Sequence, residues 1–233
     1  MALYFIGIQG SYSQLELALF EEQRCIQTFA SQDTKASSHI IPYLDTLLKN
    51  HSRTLSDLSF IAVDKGPGAF TSLRVVIATV NGIAFARKIP LIGIDGLDAL
   101  YEQTKTKIDS FGFKQKPDVI ACLLNAYNDD VYFLIKSSDK TIKACKKVDV
   151  FLEELSSNFS GKDILFTGNA VQLHIQKIQE VFGAHALIPA SVDLVASAVQ
   201  IGTMGYREWQ QNKDYAFEIT PNYIKTQYFA IKK

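Results

Sequence analysis

Between residues 64 and 74 the chain reads Asp-Lys-Gly-Pro-Gly-Ala-Phe-Thr-Ser-Leu-Arg. Two glycines around a proline permit a tight turn with backbone N–H groups directed outward. A helix that follows such a turn adds further N–H groups without partners, at the positive end of its dipole. Together these make a site for an anion. On this reading Gly66, Pro67, Gly68, Thr71 and Arg74 form a possible anion-binding loop, with Thr71 placed to cap the helix. It is not a nucleotide P-loop, because neither Gly-Lys-Ser/Thr nor a GxGxxG pattern is present.

Asp64 and Asp95 each follow a predicted strand, where a carboxylate can hold a metal ion. An ATPase of the actin type also needs an acid at the end of its first strand, and that place carries Gln9. A neutral amide is a poor magnesium ligand. His39, His51, His174 and His185 show no HExxH or HxxxH spacing, so no zinc or iron site is read. Ser11 follows a strand but lies in no GxSxG elbow. These motifs assign no catalytic residue, no metal ligand and no cofactor.

The elements that would carry these residues alternate in a repeating order. Apolar runs at 3–8, 15–20 and 25–30 predict three strands joined by short turns, an antiparallel meander. Ile40, Ile41, Leu44, Leu47 and Leu48 then recur at helical spacing, with Ser37 or Ser38 as the cap. Pro42 falls inside this segment and predicts a kink or a later start. A strand at 59–63, a helix at about 71–87 and a strand at 90–94 complete a βββαβα unit. The order repeats more loosely afterwards. A helix at about 96–108 precedes strands at 118–126, 130–136 and 141–148, a helix at 148–157 and a strand at 163–168. Helices at 169–182 and 191–210 follow, with an extended tail from 218. The fold class read from this is α/β, with two similar subdomains divided near residues 98 and 99, spanning 1–98 and 99–233.

The helix after the GPG turn has little polar face before Arg87. Either it is buried in its own fold, or one face packs on its sheet and another on a partner chain. Val75, Thr79, Gly82 and Ala86 form a strip of mostly small side chains suited to close approach of a second helix. Leu73, Ile77, Val80 and Ala84 lie on a different face, better fitted to the sheet.

The 24 basic and 24 acidic side chains balance to a formal net charge of zero, so no long-range field draws the chain to nucleic acid unaided. The three cysteines are widely spaced with no CxxC, as in a reducing compartment. With no membrane-length apolar run and no leader-like start, the expected location is the cytoplasm.

Six stretches in order resemble the bacterial TsaB (YeaZ) family. They are "YFIGIQGSYSQLELALF", "SSHIIPYLDTLL", the stretch from "DLSFIAVDKGPGAFTSLR" to "DGLDAL", the hairpin "LLNAYNDDVYF", and the late "FTGNA" and "PNYIK". The resemblance implies two RNase H-like subdomains of the actin–sugar kinase–Hsp70 class. It implies a non-catalytic subunit in tRNA threonylcarbamoyladenosine biosynthesis, bound to a TsaD-like catalytic subunit and joined by a TsaE-like ATPase. A homodimer through the same face, and at most weak or indirect tRNA contact, are implied as well. The implied partner face takes in Ile40, Tyr43, Leu44 and Leu47 on the first helix. On the second it takes in Val75, Val76, Thr79, Gly82, Ile83 and Ala86. The chain departs from the family pattern at Gln9, Ser72, Val76, Asn81 and Tyr127. Two other readings stand beside this one: an active ATPase or kinase of the same fold, and an M22-type peptidase homologue.

Overall fold

The computed structural model describes residues 2–12, 14–31, 39–211 and 216–225. The expected caps Ser37 and Ser38 lie outside the described residues.

The first sheet contains β1 (Tyr4–Gln9), β2 (Leu15–Glu21), β3 (Arg24–Ser31), β4 (Leu58–Asp64) and β5 (Leu91–Ile94). Its order is β3-β2-β1-β4-β5, antiparallel through the meander and parallel from β1 to β5. Side chains alternate faces along a strand. Ile6 and Ile8 of β1, Leu17 of β2, and Ile61 and Val63 of β4 therefore share one face. They pack against α1 (Ile40–Lys49) and α2 (Phe70–Arg87). Burial on both faces makes these strands read as continuous apolar runs. Pro42 falls in the first turn of α1, where its missing N–H has no intrahelical acceptor to lose. The helix accordingly starts at Ile40, two residues before the proline.

The opposite face carries Phe5, Phe20 and Phe60. Their rings stack across adjacent strands with centroids 4.6 and 4.4 Å apart, and Trp209 continues the stack 4.7 Å from Phe60. Trp209 belongs to α6 (Ala198–Gln211), which lies across β1, β2, β4 and β5. The helix approaches closely because its contact residues are small. A Cβ on Gly7 would stand 2.3 Å from the carbonyl oxygen of Ala198, and one on Gly205 2.3 Å from Cβ of Ala62. Glu16 Oε2 accepts a hydrogen bond from the Ala198 N–H at 3.1 Å, a carboxylate at the positive end of the helix. Sequence reading extends this helix back to 191. Ser197 stops it there, because its hydroxyl accepts from Gln200 N–H at 3.2 Å and caps the first turn.

The second sheet repeats the plan. β6 (Val119–Asn125), β7 (Asp130–Lys136), β8 (Thr141–Lys147), β9 (Ile164–Thr167) and β10 (Ala186–Leu187) lie in the order β10-β9-β6-β7-β8, which is the first sheet's order reversed in listing only. Its core joins Leu123, Val131, Phe133 and Phe166 to Phe151 and Leu155 of α4 (Val148–Asn158) and Ile178 of α5 (Ile175–Phe182).

Two compact units result, Met1–Lys107 with Val195–Asn222, and Ile108–Leu194 with Tyr223–Lys233. This division differs from the 98/99 boundary expected from the sequence. The distant α6 packs on the first sheet, and α3 (Gly96–Lys107) packs on α6. Among the described residues no helix is long and apolar enough to cross a membrane.

Candidate functional site

The GPG turn is tied down by its own protein. Lys65 N–H donates to Ile94 O at 2.9 Å, Gly66 N–H to Asp64 Oδ1 at 2.8 Å and Ala69 N–H to Ser11 O at 2.7 Å. Pro67 has no N–H to offer. A Cβ on Gly68 would stand 2.3 Å from Ser11 O, so this contact requires glycine. Asp64 is buried at 2 % exposure beneath the turn. Burial pushes its carboxyl up to about 6 and the neighbouring Asp95 adds to the rise, against hydrogen bonds from Ser11 and Gly66. Gln9 Nε2 donates to Ser11 Oγ at 3.2 Å, while Gln9 Oε1 is buried without a partner. In the expected anion-binding loop of Gly66, Pro67, Gly68, Thr71 and Arg74, the Gly66 amide is therefore already taken by a protein acceptor, Pro67 has none to give, and the buried acid Asp64 lies against the turn. Thr71 does not cap α2, whose N-cap is Ala69, and the Arg74 guanidinium lies 3.6 Å from the Phe70 ring centroid. The turn acts as a latch that fixes where α2 begins.

Asp95 is engaged on both oxygens. Oδ1 accepts from the N–H groups of Leu97 and Asp98 at the start of α3, and Oδ2 accepts from Asn222 Nδ2 at 2.7 Å. Among the described residues no group of three or more His, Cys, Asp or Glu side chains is placed to hold a metal.

A second latch holds the middle of α2. Asn81 accepts from Ile219 N–H at 3.1 Å and donates to Ile219 O at 2.9 Å, gripping the late extended segment. This accounts for one of the departures from the family pattern. Another, Tyr127, sits in the β6–β7 turn, where Tyr127, Asn128 and Asp129 all have positive φ (60°, 54° and 59°). Lys147 and Lys225 both pair with Asp130 beside it, at 3.1 and 2.5 Å.

The outer side of the first unit carries a groove of about 1070 Å³ between α1, α2 and the turn after α1. Ile41, Leu48, Arg53, Thr79, Gly82 and Ala86 line it. Leu73, Ile77, Val80 and Ala84 face the sheet and are buried, as the helical spacing predicts. Val75 and Thr79 are half-buried, and Gly82 and Ala86 are exposed. A Cβ at Gly82 would meet nothing within 4 Å. Beside the groove, Phe85 is 75 % and Ile41 59 % exposed.

Part of the sequence-derived face is corrected. Ile40, Leu44, Leu47 and Val76 are at most 1 % exposed and belong to the core, so their side chains are not surface. Leu44, and Ile83 at 8 %, reach the groove only by their edges. Tyr43 is half-buried against the Phe29 ring, 4.2 Å between centroids. Ile41, Ala78 and Phe85 were missed as surface residues. On a helical wheel Phe85 falls on the same exposed arc as Ala78 and Gly82, so the signal was there to be read.

Two sheets of identical order, each with helices on a face, form the pair of like α/β subdomains that an RNase H-like reading of the sequence expects. A family profile described as "TsaD: tRNA N6-adenosine threonylcarbamoyltransferase" matches residues 29–227. Over 98 % of this chain and the whole of the relative, 22 % of residues are identical to "tRNA threonylcarbamoyladenosine biosynthesis protein TsaB" of Buchnera aphidicola subsp. Acyrthosiphon pisum. A "tRNA N6-adenosine threonylcarbamoyltransferase" of Solidesulfovibrio magneticus is 34 % identical over 40 % of this chain and 30 % of its own length. The solved structure of YeaZ from Pseudomonas aeruginosa superposes with a TM-score of 0.74 at 20 % identity, covering 95 % of this chain and 99 % of that one. The chain belongs to this family, among its TsaB/YeaZ members.

Proposed function

We propose that this chain serves tRNA threonylcarbamoyladenosine biosynthesis as a non-catalytic subunit, and that a TsaD-like catalytic chain lies along the α1–α2 groove. The observation that carries the reading is the outer face of α2. Its inner face is core, yet Gly82, Phe85 and Ala86 stand in the open beside Ile41. Apolar and small side chains gathered along one groove are the composition of a helix-docking surface. Kinship with both the TsaB proteins and the transferases supports the assignment of partner. A TsaE-like ATPase joins the assembly, tRNA is touched weakly or through partners, and the chain works in the cytoplasm. Without its partner the same face pairs with a second copy.

The test is Gly82→Glu and Thr79→Arg, measured for melting temperature and for affinity to the co-expressed transferase subunit. Gly82 has open space before it, so the free chain keeps its fold. An unpaired charge buried in the complex costs about 3–5 kcal/mol, which lowers affinity by roughly two decades or more. Binding of Gly82→Glu at wild-type affinity overturns the reading.

A further inference from the structure

The first sheet has a second recess, at the end away from the GPG turn. Tyr4 opens β1, Glu21 closes β2 and Arg24 opens β3. The register sets Tyr4 opposite Glu21 and Glu21 opposite Arg24. Residues directly opposite one another on antiparallel strands share a face. The turn after α1 brings His51 and Arg53 to the same place, and together these side chains line a pocket of about 330 Å³. Pockets that hold small molecules start at about 300 Å³, so this one suits a small ligand.

One carboxylate positions both arginines. Glu21 Oε1 accepts from the Tyr4 hydroxyl, and Oε2 accepts from Arg24 Nη2 at 3.2 Å. Tyr4 Oη in turn accepts from Arg53 Nη2 at 2.8 Å, and the Arg53 guanidinium carbon stands 4.1 Å from the Tyr4 ring centroid. The Tyr4 hydroxyl, and after it Arg24, holds Glu21 below the usual carboxylate range. The charge on Glu21 answers one arginine and leaves the other uncompensated. A guanidinium carries N–H donors around its whole rim and accepts nothing. The bonds to Tyr4 and Glu21 leave several of these donors unused, and Arg53 Nε is buried without a partner. A buried donor in that state destabilises the fold, and its presence calls for a reason. The end of α1 does not supply one. Lys49 already stands in its last turn, and Arg24 belongs to a different element.

We propose that this pocket binds a phosphate group, as free phosphate or as the monoester of a small molecule, between Arg24 and Arg53. Two planar forks can each take a pair of oxygens from a tetrahedral phosphate, whereas one carboxylate satisfies one fork. His51 closes the wall, its Nε2 2.9 Å from Gln27 Oε1. Stacking on Tyr4 fixes Arg53 in advance, so little ordering remains to oppose binding. The site is independent of the docking reading. Arg53 also borders the α1–α2 groove, but Tyr4, Arg24 and His51 do not.

The full chain is titrated by calorimetry at low salt with inorganic phosphate, glycerol phosphate and acetate. Phosphate binds saturably, at one site per chain. Tighter binding of glycerol phosphate marks a monoester as the natural ligand, and equal affinity of the two marks free phosphate. Arg24→Gln and Arg53→Gln each weaken binding by about tenfold or more. Arg207→Gln, at an exposed position on α6, leaves it unchanged. The Arg24 side chain is 76 % exposed, so its variant keeps the fold and decides the matter even where Arg53→Gln melts early. The proposal is overturned if neither phosphate binds saturably, or if Arg24→Gln binds phosphate as the wild type does. An equal loss in Arg207→Gln, or acetate bound as tightly as phosphate, overturns it too.

Discussion

Replacing Asp64 with asparagine is expected to stabilise the protein at neutral pH and to destabilise it by about 1 kcal/mol at pH 4. The buried carboxyl titrates near 6 in the folded chain, against an ordinary 3.8, chiefly because burial disfavours its charge. The folded state thus holds this proton more tightly than the unfolded state. The associated stability is fully present below about pH 4, falls as pH rises toward about 6, and stays lost above that. A rise from 3.8 to about 6 corresponds to about 3 kcal/mol. Asparagine cannot ionise, and its carbonyl can still accept the Gly66 N–H that Asp64 Oδ1 now accepts at 2.8 Å. Its amide N–H groups fit the Ser11 hydroxyl less well, which returns about 1 kcal/mol. The net gain at pH 7.5 is about 2 kcal/mol, or about 4–8 °C in melting temperature for a chain of this size. Urea melts of both proteins from pH 4 to pH 7.5 measure it. Taking the difference between variant and wild type cancels every other titrating group. A difference that stays constant across this range refutes the assignment of the pH dependence to Asp64. A variant less stable than wild type at pH 7.5 refutes the view that the carboxylate is a cost to the fold.

The remaining expectations concern packing. Ile77→Asp puts a charge into the core and leaves no cooperative melt, whereas Phe85→Ser melts within about 1 kcal/mol of wild type, since an exposed ring holds little of the fold; circular dichroism separates them. Asn81→Ala removes both hydrogen bonds to Ile219 and costs about 1–3 kcal/mol, seen as faster proteolysis near residues 216–222 before global unfolding. Gly205→Val drives a branched side chain onto Ala62 and lowers stability by about 1–3 kcal/mol or more, with Trp209 fluorescence reporting the displaced helix.

The strands were legible because burial on both faces leaves an unbroken apolar run, and the two faces of α2 because small and large residues segregate around it. The late helix was overextended because Ser-Val-Asp-Leu-Val-Ala, residues 191–196, carries helical spacing, and nothing local announces Ser197 as the cap. What ties the GPG turn down is held by no local pattern. The acceptors for the Lys65 and Ala69 amides at its two ends come from Ile94 and Ser11, far off in sequence. On α1 the neighbours Ile40 and Ile41 look alike in the sequence, yet one is core and the other is 59 % exposed. Only the angle at which the helix meets the sheet decides between them. The unit boundary was misplaced because α6 packs on a sheet begun nearly two hundred residues earlier.

That last arrangement has a consequence for how the protein is made. The first sheet is encoded before residue 95, but the helix that covers its aromatic face is not encoded until 198–211. While the ribosome is at work, the Phe5, Phe20 and Phe60 stack stands without its lid until residues 198–211 have emerged. Domains generally fold as they emerge, N-terminal first. Here the earlier-made unit is the one that must wait with an apolar face exposed, while the second sheet has all its strands by residue 187. A message truncated between codons 95 and 198 would yield a product with a bare aromatic sheet, sticky and soon degraded, rather than a shorter folded chain.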